Sequence, residues 1–312
     1  MAVSRNFART IPEGAVVDRW AAPDGWPLRR FHWPAEVAAR GSILFQTGRG
    51  DVFEKYLESF ARWHAAGWTI TAFDWRGQGG SGRLTPKANC GHIDDFGTYI
   101  DDLRAFAAQW QAETPGPHVV MGHSMGGHLV LRGLAEGAIA PDAAVLVAPM
   151  LGVRSALGRL APPIARVLAR LGDPRRPAWK GNEKPYTTET RAHLLTHDPA
   201  RYADELWWQA RDRTLLTGPP SWQWLVAAFR SMAALEARPL ESVRTPLLFV
   251  VAEADGLVDA RAALRIALRL PGGEVLRFGP ESAHEILREA DPVRDRALAA
   301  IDGFLDARAP RR

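Results

Sequence analysis

The sequence holds one cysteine in 312 residues, Cys90. No disulfide can form within the chain, and nothing in the composition marks adaptation to an oxidising compartment, so the cytoplasm is the expected location. Nowhere do about 18 apolar residues run together, which argues against a membrane-spanning helix. The first 13 residues lack the run of about 7 to 15 apolar residues that a secretory leader needs. Clustered charge is lacking too. Lys and Arg number 39 against 35 Asp and Glu, a net charge of +4, but they are scattered apart from local pairs such as Arg175-Arg176 and Arg311-Arg312. A nucleic-acid partner needs a basic face and is not expected, while a transient, mild attraction to anionic membrane surfaces stays open. There is also no repeat of fixed period.

What is present is enough apolar material for a large core: 46% of residues are hydrophobic and 24% charged, the usual balance of a globular chain. The length fits either two small domains or one large domain with an insertion. Pro23-Asp24-Gly25 has turn chemistry and sits between two strand-like runs, predicting an opening hairpin. From about residue 40 to 150, and again from 245 to 306, short apolar runs alternate with helical patterns, the signature of βαβ units. Strands are expected at 42–46, 69–74, 118–122, 143–148, 246–252 and 274–278, and helices near 52–66, 96–111, 125–136, 259–270 and 291–307. The expected class is α/β, a mostly parallel sheet with helices on both faces. Between 151 and 232 the alternation gives way to short helical pieces rich in Pro, Arg and Trp. That stretch is read as a helical lid inserted into a core formed by 1–150 and 233–312.

Gly122-His123-Ser124-Met125-Gly126 matches Gly-x-Ser-x-Gly between a strand-like and a helical run. In that context the serine occupies a sharp strand-to-helix turn, small neighbours let the backbone pass, and the hydroxyl projects above the sheet. A serine hydroxyl is a weak nucleophile unless an imidazole takes its proton, and the imidazole needs a carboxylate to hold its tautomer. In folds of this type the chain order is serine, acid, histidine. Beyond the helix after Ser124 the histidines are His193, His197 and His284. His284 follows the last strand, at the sheet end where active sites of open α/β sheets collect, and is taken as the base. The strand at 247–252 delivers Glu253 and Asp255 to the next loop and, a turn later, Asp259. Asp255 is taken as the acid, and Asp259 is read as the cap of the following helix.

An oxyanion hole needs two backbone N–H groups. One belongs to Met125. The other comes from the loop Gln46-Thr47-Gly48-Arg49-Gly50, where Arg49 is assigned, with Thr47 and Gly48 as neighbouring alternatives.

Together, the loop 45–50, the segment Asp74-Trp75-Arg76-Gly77-Gln78-Gly79-Gly80-Ser81-Gly82, the turn around Ser124, and the loops of Asp255 and His284 resemble the lysophospholipase and monoacylglycerol lipase branch of the α/β hydrolases. The resemblance implies the α/β-hydrolase fold and a Ser124, Asp255, His284 triad acting on a single-chain lipid ester. One departure is Thr47-Gly48, where relatives often carry His-Gly.

Other signals point elsewhere and are set aside. Residues 77–82 satisfy the Gly-x-Gly-x-x-Gly dinucleotide pattern, but no helix follows to receive a pyrophosphate, so no nucleotide cofactor is expected. His193 and His197 stand four apart without the glutamate or third ligand of a metal site, and no metal is expected. Trp179, Trp207, Trp208, Trp222 and Trp224 suit a small core of the insertion, or an acyl-binding tunnel or transient contact of the lid with a lipid surface. Leu157, Leu160, Ile164, Val167, Leu168 and Leu171, with Arg159, Arg166 and Arg170 between them, have the spacing of an interfacial helix, but Pro162 and Pro163 interrupt it, so packing on the main domain is expected. The function expected is hydrolysis of a carboxylic ester, probed against two alternatives: an acyltransferase or peptidase using the same triad, and a binding module without catalysis.

Overall fold

The computed structural model of the chain describes residues 8–36, 39–179 and 189–311. Residues 1–7, which include part of the stretch read as lacking a leader, and residues 180–188 of the expected lid lie outside the described residues. Among the described residues eight strands form one sheet: β1 Val16–Ala21, β2 Pro27–Trp33, β3 Gly41–Gln46, β4 Trp68–Phe73, β5 His118–His123, β6 Ala143–Val147, β7 Leu247–Ala252 and β8 Gly273–Phe278, in the order β1-β2-β4-β3-β5-β6-β7-β8. β1 and β2 form the expected hairpin. Its turn is closed by the Gly25 N–H donating to the Ala22 carbonyl at 2.7 Å, with Gly25 at φ +83°. β2 runs antiparallel to β4, and the pairs from β4 to β8 are all parallel.

The central strands are buried on both faces, as strands covered by crossover helices must be. Alternate residues divide between two layers of core. Leu44, Val120, Leu146 and Phe249 face α2 (Gly97–Glu113), α3 (Met125–Ala135) and α8 (Ala260–Ala267). Ile43, Phe45, Val119, Met121, Val145 and Val250 face α1 (Leu57–Ala65) and α9 (Asp291–Arg308). Two helices differ from their expected extents. The one expected at 52–66 opens with a 3-10 turn, Phe53–Tyr56, whose Glu54 and Lys55 are buried rather than on a solvated face. The one expected at 259–270 is α8: the Asp259 carboxylate caps its start, accepting the Arg261 N–H at 3.0 Å, and after Ala267 the chain tightens into turns in which Arg269 and Leu270 N–H groups donate to the Ile266 and Ala267 carbonyls.

Between β6 and β7 the chain forms α4 Ala161–Arg170, α5 Glu189–Leu195, α6 Pro199–Arg211 and α7 Trp222–Glu236. Two expectations are corrected here. Pro162 and Pro163 do not interrupt α4. They stand in its first turn, where a backbone N–H has no intrahelical partner to lose. Nor does α4 press its leucines on the main domain: Ala161, Ala165 and Ala169 form its buried stripe, packed on α7. Leu157, Leu160, Val167 and Leu171 are 51, 63, 53 and 64% exposed. Two of the tryptophans join the clusters of the main domain, and Trp207 packs edge-on against Trp208, ring centroids 4.9 Å apart. Trp224 packs with Phe96 in the main apolar cluster, ring centroids 5.3 Å apart. Trp208 packs against the opposite cluster and donates its indole N–H to the Ala8 carbonyl at 2.8 Å. No helix among the described residues is long and apolar enough to cross a membrane.

Candidate active site

Ser124 sits at the junction of β5 and α3 with φ 53° and ψ −116°. A non-glycine residue in that region costs roughly 1–3 kcal/mol and persists only when its surroundings hold it. They do. The Ser124 N–H donates to the Val147 carbonyl at 2.9 Å, and its own carbonyl accepts from His128 and Met150 N–H groups at 3.1 and 2.9 Å. The glycines of the motif have a steric cause. A Cβ on Gly122 would lie 2.6 Å from Gly126 and Gly127 backbone atoms, and one on Gly126 would lie 2.4 Å from the Gln46 carbonyl oxygen.

The strands bring the three expected side chains together. Because β7 and β8 are parallel to β5, the loops that follow them open on the same end of the sheet. His284 Nε2 lies 2.9 Å from Ser124 Oγ, and His284 Nδ1 lies 2.6 Å from Asp255 Oδ2. Asp255 is oriented by the chain around it: its Oδ1 accepts the N–H groups of Leu257 and Val258 at 2.7 and 3.0 Å. Arg154 donates to the Asp255 carbonyl at 2.8 Å. Asp259 is elsewhere, capping α8.

Burial alone would raise the Asp255 carboxyl, but the His284 imidazole and the two N–H donors outweigh it and hold it below the ordinary carboxylate range. Burial likewise pushes His284 down, yet the adjacent Asp255 carboxylate, helped by Glu285 and Asp51, carries it above the ordinary histidine value. The pair therefore holds an ionised acid against a histidine of strengthened basicity.

Met125 is the first residue of α3, so its N–H has no intrahelical acceptor and points out of the helix beside Ser124. The loop after β3 closes on the same spot, since a Cβ on Gly48 would stand 3.1 Å from Ser124 Cβ. Of the three donors considered there, Gly48 is removed: its N–H already donates to Asp51 Oδ2 at 3.2 Å. The Gly50 N–H donates to Gln78 Oε1 at 2.5 Å. Arg49 lies between these two anchors, and its guanidinium donates to the Gly218 carbonyl at 3.0 Å while covering the Trp224 ring. The glycine-rich segment 77–82 thus braces this loop. It folds around Asp74, whose carboxylate accepts the Gly80 N–H at 2.8 Å.

His197 pairs with Glu289 at 3.0 Å. The segment between β6 and β7 also touches the site. The Leu194 and Leu195 carbonyls accept the N–H groups of His284 and Glu285 at 3.3 and 2.7 Å.

Beneath these groups lies a set of residues that the sequence did not single out. Lys55 Nζ contacts Asp51 Oδ1 and Glu285 Oε1, both at 2.5 Å, and Glu205 Oε2 at 3.0 Å. Arg288 pairs with Glu285 and Glu205. The Tyr56 hydroxyl is 2.8 Å from Asp51 Oδ2 and 2.8 Å from His123 Nδ1. In the sequence His123 stands only as the first variable position of the serine motif.

Comparison with known proteins places this geometry among relatives. The family model described as serine aminopeptidase, S33, matches residues 37–291. Lysophospholipase L2 of Escherichia coli strain K12 is 32% identical over 96% of this chain and 93% of its own length. Monoacylglycerol lipase of Mycolicibacterium smegmatis is 29% identical over 45% of this chain and 48% of its own. Among solved structures, a soluble variant of monoglyceride lipase from Saccharomyces cerevisiae in complex with a substrate analog has a TM-score of 0.76 at 20% identity, covering 96% of both chains. That structure shares the fold described above.

Proposed function

The chain belongs to the serine aminopeptidase S33 family of α/β hydrolases, as an ester hydrolase related to lysophospholipases and monoacylglycerol lipases, and we propose that it cleaves the single acyl ester of a lysophospholipid or monoacylglycerol through an acyl-enzyme on Ser124. The observation that carries this reading is the relay from Ser124 Oγ to His284 Nε2 at 2.9 Å and from His284 Nδ1 to Asp255 Oδ2 at 2.6 Å. His284 takes the Ser124 proton as the hydroxyl oxygen attacks the acyl carbon. The negative charge that develops on the carbonyl oxygen is held by the Met125 and Arg49 N–H groups. His284 then passes the proton to the departing alcohol, water attacks the acyl-enzyme through the same base, and Asp255 stays ionised throughout.

In this reading residues 151–232 form the lid, and α4 is its contact with a lipid surface. Exposed Leu160, Val167 and Leu171 form one stripe, and Arg159, Arg166 and Arg170 fall on the adjacent face, an arrangement suited to an anionic interface. The serine side of the site is nearly closed, with Ser124 only 9% exposed, so a substrate enters when the covering segment shifts.

The family description keeps amide cleavage as a second reading. An aminopeptidase has to bind a free ammonium group with a carboxylate near the serine. Among the described residues, the carboxylates around Ser124 are engaged: Asp255 with His284, and Asp51 and Glu285 with Lys55. This favours the ester.

The test is hydrolysis of monoacylglycerol, lysophosphatidylcholine, short p-nitrophenyl esters and aminoacyl anilides by the native chain and by Ser124→Ala. Single-chain lipids are expected to be the best substrates, with the activity lost in the variant. Turnover of short esters alone would remove the lipid assignment, and turnover of anilides alone would favour the peptidase.

A further inference from the structure

Charged groups of this chain that no step above uses are buried directly behind the reacting atoms. Asp51, Lys55, Glu205, Glu285 and Arg288 are 5, 7, 2, 1 and 3% exposed. Burying charges is costly unless each is paired, and stability alone rarely justifies such a cluster. Its connections run instead to the moving parts of the reaction. Asp51 Oδ2 accepts the Gly48 N–H at 3.2 Å, which fixes the loop that carries Arg49. The same oxygen accepts from Tyr56 and lies 3.1 Å from His123 Nδ1. On the other side of its ring, His123 Nε2 is 3.3 Å from the carbonyl oxygen of His284. The rings of His123 and His284 are 4.8 Å apart.

We propose that Asp51 and His123 are positioning residues for the ester cleavage: one buried carboxylate fixes the oxyanion loop through Gly48 and, through His123, the backbone of the base His284, so that the two halves of the site are held in one register. The inference rests on the assignment of Ser124 and the oxyanion loop made above. Lys55 keeps Asp51 ionised against the penalty of burial, and so does His123. Among the described residues, the charged and titratable groups facing His284 are Asp255 from the loop after β7, Glu285 beside it in sequence, Asp51 from the loop after β3 and His123 from β5, with Arg154 on the Asp255 carbonyl. Asp51 is thus both a geometric anchor and one of the negative charges that raise the basicity of His284.

Two substitutions test this, with one control. Asp51→Asn keeps the shape of the side chain and leaves Lys55 and Arg288 balanced by Glu205 and Glu285, so the cluster becomes neutral. The expected result is a fall in kcat of about tenfold to a hundredfold, less than the loss seen when an oxyanion donor is deleted outright, with KM changed less than about threefold. The acid limb of the kcat/KM profile moves to lower pH because a negative charge beside His284 is gone. Tyr56→Phe removes only the hydroxyl between Asp51 and His123, and a severalfold loss of kcat at constant KM is expected. It covers the case in which Asp51→Asn does not fold. The control is Glu205→Gln, in the same cluster but paired there with Lys55 and Arg288 rather than holding the oxyanion loop; its kcat and acid limb are expected to match those of the native chain. Native kcat and acid limb in folded Asp51→Asn, or native kcat in Tyr56→Phe, would overturn the proposal. So would equal losses in Glu205→Gln, which would make the cluster a matter of folding alone. Full activity in Ser124→Ala, by contrast, would overturn the assignment on which it rests.

Discussion

Ser124 is held in a conformation that its neighbours make obligatory. The glycines around it are spacers required by contacts of 2.4 to 2.6 Å that a Cβ would make with backbone atoms. Backbone cannot give way as a flexible side chain can, so Gly126→Ala is expected to lower stability by about 1–3 kcal/mol or more. It would also displace the loop after β3, reducing kcat; thermal melts beside steady-state rates check both effects. His284 supplies a second prediction at this scale. The base must be neutral to accept the serine proton, and its pKa is raised above the ordinary value of 6.5 by Asp255 despite burial. Activity should therefore fall as pH drops through a midpoint above about 6.5, measured as kcat/KM against pH on a soluble ester. A midpoint well below that value would contradict the assigned partners. The meeting of Ser124, Asp255 and His284 was legible in the sequence because each signal is local: a five-residue motif, and two residues placed just past apolar strands. The roles of Asp51, Lys55, Glu205 and Glu285 were not legible. They come from three distant segments, and a charged residue on an apparent helix or in a loop reads as solvated until the packing is known. The one available clue was Asp51 at the end of the glycine loop assigned to the oxyanion.

Among the elements, the strands were read to within a residue or two, because double burial leaves an unbroken apolar run. The helices between β6 and β7 were harder. Alanine at 161, 165 and 169 buries α4 on α7, and small residues give little hydrophobic signal, whereas the leucines that dominate the pattern are the exposed ones. The prolines at 162 and 163 look like interruptions in the sequence because their place in the first turn is set by where the helix starts, which the pattern does not show. If α4 meets lipid, Leu160→Glu combined with Val167→Glu should weaken binding to phosphatidylglycerol vesicles by about tenfold or more, since two apolar side chains are lost and negative charge is added. Hydrolysis of a short soluble ester should be little changed. Unaltered vesicle sedimentation would remove α4 as the contact.

On the scale of the whole molecule, the parallel sheet order and the two-sided core follow from alternation of apolar strands and helices, which a sequence displays openly. How the segment between β6 and β7 is joined to the rest does not follow from such patterns. Trp224, Ala227, Ala228 and Met232 belong to the same apolar cluster as α2 and α3. Arg201 on α6 pairs with Glu58 of α1 at 2.8 Å and with Asp291 of α9 at 2.6 Å. Replacing residues 151–232 with a short linker is therefore expected to abolish cooperative folding rather than to yield an open enzyme. Loss of a large buried aromatic such as Trp224 alone costs about 3–5 kcal/mol, a large part of the marginal stability of a domain. Circular dichroism melts of the shortened chain check this, and a sharp native-like transition would contradict it.

The most direct test of the central claim is the mass of the peptide modified by a fluorophosphonate, measured on the native chain and on Ser124→Ala. The account predicts one adduct, on the peptide carrying Ser124, that is absent from the variant and forms in step with loss of esterase activity. Labelling at another residue, or full esterase activity in Ser124→Ala, would contradict it.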